Sequence, residues 1–193
     1  MVNTTEIRVS NQQFSVVPEG HVSIPEGYLT ALVEVTDTFM TVRTGTDWGP
    51  VALSISTNEE DLAAVNDDEW DAIEEGYFYK IAPLRVETND GTVWSDFTDL
   101  SKLPRKGKIE FRVLAKGRAQ GWGRDSETAQ EHYSLIFWSA AAGAPQRPKH
   151  RLVKSDGKNT ITARKSNTPY NPDDHDASDA RVRTIGPYIF GSE

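Results

Sequence analysis

The sequence contains no cysteine, which excludes disulfides, thiolate nucleophiles and cysteine-ligated metals. It has no apolar run approaching the ~20 residues of a membrane helix, so no membrane partner is expected. Residues 1–17 (MVNTTEIRVSNQQFSVV) lack the basic start and long apolar stretch of a secretory signal, and the expected location is the cytoplasm. The G-x-S-x-G elbow, the P-loop and H-E-x-x-H are all missing. The four histidines, His21, His132, His150 and His175, are scattered, and no carboxylate pair stands out by spacing as an acid and a base. A non-enzyme without cofactor is the expectation. His132, at a strand start beside Glu131, reads as structural.

One further absence is local. Between Glu59 and Glu75 (EEDLAAVNDDEWDAIEE) there is no basic residue, while nine carboxylates surround a single tryptophan, Trp70. Such a run is either a solvated face or a surface that steers a basic partner and repels acidic ones. If it is the latter, Glu59, Glu60, Asp61, Asp67, Asp68 and Glu69 supply the charge and Trp70 an aromatic anchor. Trp70 precedes a strand, which argues for its burial and narrows the displayed element to Glu59–Glu69.

Charge is unevenly spread over the 193 residues, whose formal net charge is −8. Residues 1–143 hold 12 Lys and Arg against 23 Asp and Glu, a net −11, whereas residues 144–193 hold 9 against 6, a net +3. An acidic body repels nucleic acid and attracts basic proteins. The basic stretch Arg147–Lys165 carries seven Lys and Arg but no recognition motif, so nonspecific contact with nucleic acid is the most it suggests.

What is present is a series of short alternating runs, recurring at roughly ten-residue intervals with turn residues between them, the pattern of an all-β sandwich or barrel. Val51, Leu53 and Ile55 point one way, and Ala52, Ser54 and Ser56 the other. Ile109, Phe111, Val113 and Ala115 alternate with Glu110, Arg112 and Lys116. Asn89-Asp90-Gly91 marks a tight turn, and Glu60–Val65 one short helical turn. His132–Trp138 (HYSLIFW) is apolar on both faces and belongs in the middle of a sheet. These features predict an antiparallel β-sandwich of about 8–10 short strands over residues 1–143, with residues 144–193 as an extended tail. Two lesser candidates are a glycine-rich stretch, Lys116–Arg124, able to seat an anion or simply to join strands, and the tail cluster Asp173, Asp174, His175, Asp176 and Asp179, which lacks the pattern of a calcium loop.

Five segments, NQQFSVV, VRTGTDWGPVALSIS, DDEWDAIEEG, GKIEFRVLAKGR and EHYSLIFWSA, taken in order over residues 7–140, resemble a group of small actinobacterial proteins. That group is distantly similar to the competence-specific nuclease inhibitor family. Gln13-Phe14 matches the Gln-Phe pair of the family's first strand. Ser15 stands where an aromatic is usual, and the tail after residue 143 has no counterpart. The resemblance implies an all-β fold and a non-enzymatic, immunity-like role, binding and neutralising a partner nuclease; the acidic face, by its charge alone, adds the expectation of a basic partner, a nuclease or toxin. An alternative follows from the tail. Its apolar end, Ile185, Tyr188, Ile189 and Phe190, suits a virion or shell subunit that laces onto a neighbouring copy as a homo-oligomer.

Overall fold

The computed structural model describes residues 4–20, 32–140 and 148–158. Among the described residues eleven strands form two sheets: β1 (Thr4–Val9), β2 (Gln13–Pro18), β3 (Val33–Val35), β4 (Met40–Arg43), β5 (Gly49–Ser56), β6 (Ala72–Lys80), β7 (Leu84–Thr88), β8 (Val93–Trp94), β9 (Gly107–Lys116), β10 (His132–Ser139) and β11 (His150–Lys154). The larger sheet runs β1-β5-β10-β9-β6-β11 and the smaller β3-β4-β2-β7-β8. The all-β class is as the sequence implies. The sheets are not wholly antiparallel, however: β10 pairs with β5 in parallel, His132 opposite Ala52 and Ile136 opposite Ser56. Period-two alternation is identical for either strand direction, so no residue pattern announces that pairing.

The two sheets close on one apolar core. Val51, Leu53 and Ile55 of β5, Ile109, Phe111 and Val113 of β9, and Tyr133, Leu135 and Phe137 of β10 meet Phe14, Val16, Met40, Val42 and Val86 from the smaller sheet. The Phe14 and Tyr133 rings cross edge-on between sheets at 5.6 Å, and within the larger sheet Phe78 of β6 meets Phe137 of β10 edge-on at 6.2 Å. Each large side chain removed from water here stabilises by roughly 1.5–3 kcal/mol. As its sequence suggests, β10 lies in the sheet's interior. Its alternate residues Ile136 and Trp138 join Ile73 and Leu114 in a second cluster on the outer face of the larger sheet.

One end of the sandwich is fixed by a buried carboxylate, Glu131, only 1% exposed. It accepts hydrogen bonds from the Gly45 and Thr46 amides, the Thr46 hydroxyl and the Tyr133 phenol. Burial, with the neighbouring Glu131 charge, holds the Tyr133 phenol well above its usual range, so Tyr133 remains a neutral donor. Gly121 makes room for the carboxylate: a Cβ there would lie 2.3 Å from Glu131 Oε1. A buried acid satisfied by several donors is stable where the same acid stripped of them is costly, and the reverse also holds for the donors. Glu131→Ala is therefore expected to lower unfolding free energy by about 3–5 kcal/mol. Glu131→Gln, which keeps the shape but only one acceptor oxygen, should cost about 2 kcal/mol. Urea denaturation checks both values.

Candidate functional site

The acidic run folds into a cover over the outer face of the larger sheet. Two short 3-10 turns, Glu59–Ala64 and Asp67–Glu69, precede β6. Each is capped by an asparagine: Asn58 Oδ1 accepts the Glu60 amide at 3.2 Å and Asn66 Oδ1 the Asp68 amide at 3.3 Å. Asparagine favours such positions because its short side chain reaches the free amides of the following turn. No residue in either turn is buried. They are held down by Leu62, Val65 and Trp70, which pack on Ile73, Leu114, Ile136 and Trp138. Trp70 is thus half-buried on the outer face rather than in the inter-sheet core, its ring 5.4 Å from that of His132.

The nine carboxylates divide by what they touch. Glu74 is fully buried and Glu75 nearly so. Glu74 accepts the Leu32 and Val33 amides at 2.9 and 2.8 Å and contacts His150 Nε2 at 2.7 Å. Glu75 pairs with Arg112 at 3.0 Å and with Arg151 at 2.5 Å. Asp71 accepts the Gly117 amide at 2.7 Å. Both oxygens of Asp67 accept from Arg112 Nη2 at 2.6 Å, and Asp61 accepts from the Ser56 hydroxyl. Glu59, Glu60, Asp68 and Glu69 are left exposed, with Glu69 taking only a side-chain bond from Asn66. Of the sequence-selected residues, the turns bring Glu59, Glu60, Asp68 and Glu69 into one displayed group. Asp61 and Trp70 instead face the body, and Asp67, though exposed, is tied to it by Arg112.

The glycine-rich stretch Lys116–Arg124 forms a short helical turn, Arg118–Gly121, entered through Gly117 at φ 87°. Its Gly117 amide is aimed at Asp71, and Arg118 is fully buried with Nη1 3.0 Å from the Asp156 carboxylate. The loop's donors are thus directed into the protein. Lys80 is also buried; its ammonium donates to the Leu100 and Leu103 carbonyls at 3.4 and 3.2 Å, and desolvation lowers its pKa. Nothing in one sequence marks Glu74, Arg118 or Glu131 as buried, since charged residues ordinarily lie at the surface. Glycines such as Gly45, Gly76, Gly117 and Gly121 are a trace of the close packing around them.

Among the described residues no three His, Asp or Glu side chains gather as a metal site, and no helix is long and apolar enough to cross a membrane. Ile185, Tyr188, Ile189 and Phe190, and the cluster from Asp173 to Asp179, lie outside the described residues.

His132 sits beneath Trp70, and its Nε2 is buried without a hydrogen-bond partner among the described residues. Desolvation, aided by the Lys116 charge, lowers its pKa below the ordinary value. The unfolded chain therefore takes the proton first. Stability should fall as pH drops from about 6.5 toward the depressed folded-state value, and be unaffected by this group well above 6.5. Urea midpoints of His132→Gln should show a shallower decline between pH 7 and 5 than the native chain; parallel slopes would contradict this.

No protein-family model matches the chain, and no curated protein gives a significant match. Among solved structures the chain is similar to the crystal structure of ComJ, inhibitor of the DNA-degrading activity of NucA, from Bacillus subtilis. The similarity has a TM-score of 0.49 at 13% sequence identity and covers 72% of this chain and 99% of that one.

Proposed function

We propose that this chain is a non-enzymatic protein-binding module of the nuclease-inhibitor kind, acting in the cytoplasm on a basic partner. Its contact face is the pair of acidic turns, with Glu59, Glu60, Asp68 and Glu69 presented to the partner. Asp61 and Asp67 fix the turns to the body, and Trp70 anchors them on the sheet. The observation that supports this reading is the division of the run: Glu59, Glu60, Asp68 and Glu69 are exposed on capped turns with no cation paired to them among the described residues, while the others are engaged by amides, hydroxyls or arginines.

A fixed row of unneutralised carboxylates resembles the charge that a basic nuclease cleft meets on a polyanion. It gives fast, salt-sensitive association, and like charges on a wrong partner are repelled. That the basic partner is a nuclease rests on the resemblance of the strand segments to the inhibitor family. The buried acids make poor catalysts, because their oxygens already accept from backbone amides or arginines.

The test is a quadruple variant, Glu59→Gln, Glu60→Gln, Asp68→Asn and Glu69→Gln, which leaves every fixed carboxylate intact. Affinity capture from the native host with the unaltered chain should retrieve a basic protein with nuclease activity, and the variant should lose it. Binding of the purified pair should weaken about tenfold or more, chiefly through the association rate, with a flatter salt dependence. Equal capture by the variant, at the same salt dependence, would show that the turns are not the interface.

A further inference from the structure

Strand β11 is held at the edge of the larger sheet in an unusual way. It pairs antiparallel with β6, His150 opposite Gly76, Arg151 opposite Glu75 and Leu152 opposite Glu74, with a bulge before Lys154. Its apolar residues are not buried: Leu152 is 48% exposed and Val153 39%. Burial of apolar surface therefore contributes little to its attachment.

What holds it is polar. Lys149 pairs with Asp37, His150 with Glu74, Arg151 with Glu75, and Lys154 Nζ donates to the Asp67 carbonyl at 3.1 Å. Beyond the strand, Asp156 closes on buried Arg118 at 3.0 Å. A cavity of about 390 Å³, lined in part by Leu62, Arg112, Pro148 and Arg151, lies alongside the segment.

The acceptor edge of β6 is shaped for a main chain. The Tyr77 amide donates to the Lys149 carbonyl at 3.1 Å, and a Cβ on Gly76 would lie 2.4 Å from that same oxygen. Glycine is needed here for close approach of another backbone. Along the edge, Arg151 meets the Glu75 carboxylate and the His150 ring meets Glu74, while nearby Lys149 meets Asp37 and Lys154 the main-chain carbonyl of Asp67.

We propose that this edge of β6 is an acceptor for a basic extended segment of a partner protein, and that residues 148–158 occupy it in cis as a built-in competitor. Main-chain ladder bonds supply affinity in such strand addition, while side chains at set positions supply selectivity. The selectivity here is for cations, because removal of β11 strips Glu74, Glu75 and Asp37 of partners contributed by that segment. A replacement without a hydrogen-bond donor opposite buried Glu74 would leave that carboxylate short of one partner, and one without cations at the positions of Lys149 and Arg151 would leave Asp37 and Glu75 without theirs from this segment. The inference is independent of the reading of the acidic turns: Glu59, Glu60, Asp68 and Glu69 play no part in it.

The probe is a labelled synthetic peptide with the sequence of residues 148–158, added to the full chain. In the full chain carrying Arg151→Glu and Lys154→Glu the internal competitor is weakened, and the probe should bind about tenfold or more tightly than to the native chain, as occupancy of a closed state taxes apparent affinity. A scrambled peptide of the same composition should bind both weakly and alike. Equal binding of the ordered probe to both chains, or equal binding of the scrambled peptide to the variant, overturns the proposal. Amide exchange on the native chain guards against a variant that misfolds. Raising salt from 50 mM to 1 M should speed exchange in β11, held by ion pairs, and leave β9 and β10 unchanged. Unaltered β11 protection in high salt would equally overturn it.

Discussion

Glu74 of β6 carries a carboxylate where no water reaches it, and two other parts of the molecule converge on its two oxygens. The amides of Leu32 and Val33 bring the start of β3, an edge of the smaller sheet. His150 brings β11, an edge of the larger one. A charge buried this way is tolerated only with donors on every side, and removing them would cost several kcal/mol. Glu74 thereby ties both sheets and the basic segment together at one point.

From that constraint follows the different character of the two halves of the acidic run. The half on β6 is committed to the architecture, with Glu74 and Glu75 closed in by amides, an imidazole and two guanidiniums. The half before β6 lies on two turns pinned through Leu62, Val65 and Trp70 to a second apolar cluster. Its exposed pairing between Asp67 and Arg112 adds about 0.5–1 kcal/mol at most. Its rigidity comes instead from asparagine caps and the apolar pins. The charge left over is displayed because nothing in the fold uses it.

Much of the framework is legible from residues alone. Val51, Leu53 and Ile55, and Ile109, Phe111 and Val113, alternate cleanly and do face the core. HYSLIFW is apolar on both faces because both faces of β10 are covered. Trp70 is harder to read, since a second, outer cluster is invisible until the sheet is assembled. The buried acids are harder still: Glu74 meets amides 41 and 42 positions away, and Glu131 amides 85 and 86 away. A charge in a sequence says surface unless its distant partners are known. Likewise the segment from Lys149 to Lys154 has the composition of a solvated tail, and its pairing with β6 is supported by carboxylates that meet Lys149, His150 and Arg151, partners far away in the sequence.

The central claim, that one carboxylate links both sheet edges to the basic segment while the first displayed turn stands apart from it, can be read amide by amide. Hydrogen exchange of the full chain carrying Glu74→Gln should show faster exchange at Leu32, Val33 and throughout β11, with the amides of the first acidic turn, Glu59–Ala64, unchanged. Native-like protection at Leu32, Val33 and β11 in that variant would contradict it.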